Sequence, residues 1–80
     1  MRLSIIKEDG TVCIDGECIT KLDLSFLPSD FHALQWYDTH GDLETRDPIT
    51  MAPANTLIYS IAEYQPAIDA WNAAKTGGGS

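Results

Sequence analysis

The residues best equipped for chemistry are two cysteines, two histidines and a set of carboxylates around them. Cys13 and Cys18 flank Asp15-Gly16, a dipeptide that accepts positive φ at both central positions of a type I′ turn. A two-residue turn there sets the cysteines opposite each other in a non-hydrogen-bonded pair. Strands approach closest at such a pair, so a disulfide is geometrically allowed. Its closed loop is tiny and its entropic contribution correspondingly small. A reducing compartment would instead leave two thiols on the outer face of the hairpin. That is the default expectation, because the apolar stretch in Met1-Arg2-Leu3-Ser4-Ile5-Ile6-Lys7 is too short for a signal peptide.

Other constellations fall short of a reactive centre. Cys13, Cys18, His32 and His40 could supply four zinc ligands, but structural zinc sites draw on two tight pairs of ligands, and the histidines form no such pair. Asp38-x-His40-x-Asp42 begins like a hard-cation loop and lacks the later oxygen ligands and closing glutamate. Turn chemistry explains those residues better and leaves His40 in an exposed loop. Ser25, Ser29 and Ser60 sit in no nucleophile elbow, and no glycine loop suited to phosphate is present. A domain this small rarely has a pocket that would raise a carboxylate pKa for acid catalysis. The expectation is a non-enzymatic protein with no cofactor and no metal.

Binding is the remaining class. Of the aromatic residues Trp36, Tyr37, Tyr59, Tyr64 and Trp71, the two tryptophans suit a core. Tyr37 falls on the face opposite Trp36 and, with Tyr59, suits a partner contact, because aromatics dominate binding hot spots. Asp38, Asp42 and Glu44 place carboxylates beside them. These five are the candidate partner-binding residues.

Charge narrows the partner. Twelve acidic against five basic residues give a net charge of −7, a field that repels phosphate backbones and argues against direct nucleic-acid binding. Acidic side chains keep a small protein in solution. They could also meet a basic patch on another protein or imitate nucleic acid, if Asp23, Asp30, Asp38, Asp42, Glu44 and Asp47 shared one surface. No apolar run approaches the roughly 20 residues that span a bilayer.

The elements that must position these residues follow from turn signals and alternation. Eighty residues suit one domain, assigned to residues 1–75, with Thr76-Gly77-Gly78-Gly79-Ser80 read as an appended linker. Asp9-Gly10 and Asp15-Gly16 predict two consecutive hairpins. A two-residue first turn pairs Lys7 with Val12 and Ile5 with Ile14. The second turn pairs Ile14 with Glu17, Cys13 with Cys18, and Val12 with Ile19. Leu3, Ile5, Val12, Ile14 and Ile19 then share one apolar face.

Residues 21–27 alternate like a strand at Leu22, Leu24 and Phe26, until Pro28 and Ser29-Asp30 break the pattern. In the segment from Phe31 to Tyr37, His32, Leu34 and Trp36 share a face. A four-residue turn, Asp38-Thr39-His40-Gly41, then pairs Trp36 with Leu43 and Gln35 with Glu44. Residues 46–55, with Pro48 and Pro53, read as a loop. Thr56-Leu57-Ile58-Tyr59 is either a short closing strand or an apolar lead-in. Ser60 and Glu63 have capping-box spacing. Ile61, Tyr64, Ile68 and Trp71 recur at helical spacing, and Pro66 near the first position places the main helix from about Pro66 to Lys75. The fold class is α+β: an antiparallel β-meander of about five strands with one C-terminal helix packed on a face.

In this order the segments resemble a known group. They are the Glu-Asp-Gly-Thr-Val turn at 8–12, the Cys-Ile-Asp-Gly-Glu hairpin at 13–17, His32-Ala33-Leu34-Gln35-Trp36-Tyr37 with Gly41-Asp42-Leu43-Glu44, and Tyr64-Gln65-Pro66-Ala67-Ile68-Asp69-Ala70-Trp71. The arrangement resembles small uncharacterised proteins of tailed bacteriophages encoded near tail-fibre genes. The resemblance spans nearly all of residues 1–75 and is most specific at His-Ala-Leu-Gln-Trp and the hairpin after it. It implies a tail or tail-fibre accessory protein, either an assembly chaperone or a minor structural component. Such a protein would act by protein–protein binding in the host cytoplasm or the virion, and could form a homo-oligomer. No catalytic residue transfers with it. The competing reading is an acidic phage inhibitor of a host protein, of antidefence or nucleic-acid-mimic type. A redox- or metal-responsive module built on Cys13 and Cys18 ranks third.

Overall fold

The structure, a computed structural model, describes residues 1–78. Six strands form one antiparallel sheet: β1 (Arg2–Ile6), β2 (Thr11–Ile14), β3 (Glu17–Ile19), β4 (Phe31–Tyr37), β5 (Gly41–Arg46) and β6 (Pro53–Ile58). Their order is β3-β2-β1-β4-β5-β6. A 3₁₀ turn (Ala62–Tyr64) leads into a single helix, α1 (Gln65–Gly78). The fold is therefore α+β, with six strands where the sequence suggests about five.

The second hairpin forms in the expected register, with Cys13 opposite Cys18 and Val12 opposite Ile19. Asp15 (φ 50°) and Gly16 (φ 89°) both take the left-handed conformation that a type I′ turn requires. The cysteine sulfurs are joined in a disulfide, with Cα atoms 4.0 Å apart, in place of the two thiols that a reducing compartment would leave.

The other two hairpins are offset from expectation by two residues. Ile5 pairs with Val12 and Leu3 with Ile14, because the first loop uses four residues, 7–10, rather than two. Gly10 N–H bonds to Lys7 O at 3.1 Å, and Gly10 alone in this loop takes positive φ, at 63°. Leu34 pairs with Leu43 and Trp36 with Gly41, because Asp38 (φ 69°) centres a γ-turn in which Thr39 N–H reaches Tyr37 O at 2.8 Å. An offset of two preserves side-chain parity, so the same residues still face the core.

Leu3, Ile5, Val12, Ile14, Leu34 and Trp36 are buried on this inner face. A register shift between Phe31 and Ala33 puts Phe31 into the core, in the role the alternation gave to His32, which is only half-buried.

Residues 21–27 form no strand. Lys21 takes positive φ, at 62°, which interrupts an extended run at its first residue. The segment folds instead as turns over the inner face, with Leu27 N–H bonded to Leu24 O at 3.1 Å. Leu24 and Leu27 enter the core and Phe26 is exposed, against the 22-24-26 alternation. Leu22 N–H anchors the segment to Gly10 O at 2.9 Å.

The helix packs on β2 and β3. Tyr64, Ala67 and Trp71 form its buried stripe, with Ile61 and Ile68 packed beside it. Trp71 Nε1–H donates to Glu17 O at 3.0 Å, and Lys75 lies over the Trp71 ring while pairing with Glu17. Ser60 Oγ accepts from Ala62 N–H at 3.3 Å, two residues on, so the expected capping box gives way to a 3₁₀ entry. The helix continues through Gly78, past the Lys75 boundary and into the residues read as a linker. Gly79 and Ser80 lie outside the described residues.

The two turn glycines differ in what surrounds them. A Cβ on Gly16 would meet nothing within 4 Å, whereas one on Gly10 would stand 2.5 Å from the backbone oxygen of Leu22. Gly16→Ala is expected to cost about 1 kcal/mol through its positive φ alone. Gly10→Ala adds a backbone clash and is expected to cost about 3 kcal/mol. Urea denaturation of the two variants beside the parent chain measures the difference.

Candidate functional site

Both covering layers, α1 and residues 21–27, lie on the inner face. Among the described residues, no helix or strand packs on the outer face. Pairing register defines what that face displays. One row runs Cys18, Cys13, Ser4, Gln35, Asp42, Leu57, and a second runs Thr11, Ile6, Ala33, Glu44, Asn55. Ser4 Oγ donates to Gln35 Oε1 at 2.8 Å within the first row. Asp42 and Glu44 alternate onto this face from β5, and Arg46 Nη2 lies 3.7 Å from Glu44 Oε1.

Tyr37 belongs to a third row. The Arg2 guanidinium stands 5.8 Å from its ring centroid, and the His40 ring lies 5.6 Å away on the other side. Tyr59 follows β6 in the position that continues the outward alternation of Asn55 and Leu57, and it is 72% exposed. The outer face thus brings Tyr37, Asp42 and Glu44 onto adjacent strands, with Tyr59 at its margin. Asp38 sits apart, on the β4–β5 turn, bonded to the Met1 ammonium. That bond holds the Asp38 carboxyl below its ordinary value and raises the ammonium above its own.

The six carboxylates considered for mimicry do not act alike. Asp23 accepts from Ser25 N–H at 3.0 Å, and Asp47 accepts from Ile49 N–H at 2.8 Å and Thr50 N–H at 3.0 Å. Those bonds lower both pKa values, through Ser25 for Asp23 and through the Thr50 and Ile49 amides for Asp47. Together with Asp38, three of the six are engaged in organising turns. Asp42 and Glu44 are the two that share a strand face.

The cysteines are bonded to each other and offer neither a thiolate nor a metal ligand. Among the described residues, no three His, Cys, Asp or Glu side chains gather as a metal site. No described helix is long and apolar enough to cross a membrane. A cleft of about 360 Å³ opens beside the β5–β6 turn, with Asp30, Arg46, Asp47 and Pro53 in its wall. Arg46 Nε is buried there without a hydrogen-bond partner. The Thr45 hydroxyl and the Asp30 and Asp47 carboxylates line the cleft beside this guanidinium.

Sequence reading left residues 56–59 as either a closing strand or a lead-in, and β6 is that strand, begun three residues earlier. Residues read as a loop up to Asn55 begin a strand at Pro53, and every residue of that strand except Ile58 is exposed. The four most exposed large apolar side chains, Ile49 (91%), Tyr59 (72%), Met51 (59%) and Leu57 (51%), all lie in or beside it. One signal was available: residues 48–62 contain no charged side chain, although the chain carries twelve acidic and five basic residues.

Asp47 organises the approach to β6, so its protonation is informative. A carboxyl whose folded pKa is lowered contributes stability above its unfolded value near 3.8 and loses it as pH falls through the folded value. The Ile49 and Thr50 amide resonances are expected to titrate together with a midpoint below 3.8. Asp47→Ala is expected to abolish that titration and speed hydrogen exchange at both amides, as read by NMR.

Comparison with protein-family models, curated proteins and solved structures returns no match for this chain.

Proposed function

We propose that this chain is a protein-binding domain that presents the outer face of β4–β6 to a phage tail or tail-fibre polypeptide, as an assembly chaperone or minor structural component. One observation carries the binding role: the outer sheet face, uncovered by any described helix or strand, displays Tyr37, Asp42, Glu44 and Leu57 with Tyr59 alongside. Exposed aromatic and aliphatic side chains rimmed by carboxylates have the anatomy of a partner contact: an apolar centre that excludes water and a polar border that selects orientation. The resemblance to proteins encoded near tail-fibre genes supplies the class of partner. The host cytoplasm, where fibres assemble, and the virion, where they reside, are the corresponding locations. Net charge of −7 disfavours direct contact with nucleic acid.

Affinity capture from phage-infected cells, followed by mass spectrometry, tests this reading. A tail or fibre polypeptide is expected on the parent chain. Tyr37→Ala and Tyr59→Ala, with unchanged circular dichroism, are each expected to weaken its binding about tenfold. Capture of a basic host protein that salt releases would replace this reading with the inhibitor.

A further inference from the structure

We infer that β6 is a self-association edge, at which two copies of this chain join their sheets antiparallel about a two-fold axis. The inference goes beyond the proposed partner contact, which uses the face of the sheet rather than its edge.

The sheet order leaves β6 without a neighbour on its far side among the described residues. The direction of its free backbone groups follows from the pairing with β5. Asp47 N–H donates to Ala52 O at 3.0 Å, one step beyond the Arg46–Pro53 pair. Antiparallel ladders alternate hydrogen-bonded and non-hydrogen-bonded pairs. Ala54, Thr56 and Ile58 therefore bond inward to β5, and Asn55 and Leu57 turn both N–H and C=O to the open edge. Pro53 also faces outward, where its missing N–H costs no bond to β5.

A second copy matches this edge in detail. Centred on Thr56 facing its own symmetry mate, the pairing sets Asn55 opposite Leu57 of the other copy, and those residues exchange both backbone bonds. Residues directly opposite in an antiparallel pair point to the same face. Leu57 and Asn55 thus continue the outer face across the axis, and Thr56, Ala54 and Ile58 continue the inner one. The symmetry is closed and isologous, so no unpaired β6 edge remains.

Charge selects the occupant. Each copy carries −7, so two copies repel wherever their acidic surfaces meet. Residues 48–62 are free of charge, and they contain β6 and the four most exposed large apolar side chains. This segment brings no carboxylate of its own to the edge, the nearest on the outer face being Asp42 and Glu44 one strand back on β5, so a like-charged copy meets less repulsion here. Natural edge strands exposed to water are ordinarily blocked by lysine, proline, a bulge or brevity; in β6 the one such device is Pro53 at its first position, and residues 54–58 carry none.

Sedimentation analysis of the purified full chain, across protein concentration and at low and high salt, tests the inference. A reversible dimer is expected, with its fraction rising in high salt as the net repulsion is screened. Leu57→Lys places a charge beside its counterpart, and Asn55→Pro removes an outward N–H that β5 does not use. Each is expected to weaken dimerisation about tenfold or more while leaving circular dichroism unchanged. A chain that stays monomeric at all concentrations, a dimer that high salt weakens, or a dimer that both substitutions leave untouched would overturn it. Slow hydrogen exchange at the Asn55 and Leu57 amides in the parent, lost in Leu57→Lys, locates the contact should a variant fold poorly. The experiment contains no phage partner, so its failure leaves the capture result standing, and the reverse also holds.

Discussion

A helix of fourteen residues is about 21 Å long and about 10 Å wide, and six strands spaced about 4.8 Å apart present a face roughly 24 Å across. One helix cannot cover that face, and cover is what a half-apolar sheet requires. The chain spends its helix on β2 and β3 and its 21–27 segment on the middle of the sheet. Leu3, Ile5, Val12 and Leu34 are sealed as a result. Beyond β4 the cover runs out. Leu43 and Ile58 are only partly buried, and Ala54 and Thr56 on the same inner face are exposed. The molecule is accordingly elongated, 42 Å in its longest dimension against 18 Å in its shortest.

The same limitation explains which parts of the fold were legible. Alternation of Leu3, Ile5, Val12 and Ile14 specifies a face, and any register of the right parity satisfies it. Parity was therefore readable, but the register of a hairpin also depends on how many residues its loop consumes. Asp15-Gly16 settles that locally, because both residues adopt positive φ. In the first hairpin Gly10 takes the left-handed position alone, at the end of a four-residue loop. Asp-Gly is compatible with either geometry. What distinguishes them is a tertiary bond, Leu22 N–H to Gly10 O, from a residue twelve positions on. Residues 21–27 show the converse: their alternation is real, but Lys21 at positive φ and turns at 25–27 break the extended run.

Site legibility followed burial. Tyr37, Asp42 and Glu44 could be placed because they alternate with buried neighbours on β4 and β5. Strand β6 carries no such alternation, since both its faces are exposed, and its proline resembled a loop signal. A strand held by pairing with one neighbour and little else leaves no periodic trace in hydrophobicity. Its trace lies in charge, as a long neutral interval within an acidic chain.

The two edges of the sheet were treated differently by the sequence. At one edge, β3 has three residues, a disulfide to β2, and the side chains of Trp71 and Lys75 laid against Glu17. Each of these devices discourages another strand from adding there: brevity limits the available bonds, the cross-link holds the hairpin closed, and the helix end crowds the approach. At the other edge, β6 has six residues, no charge and no covering element. Solubility alone would favour the opposite distribution, because a single lysine or glutamate on Leu57 or Asn55 would protect the long edge at little energetic cost. None of the twelve acidic residues lies on β6 itself, although Asp42 and Glu44 of β5 stand beside Leu57 and Asn55, so the strand leaves its own edge free of charge next to an acidic neighbour.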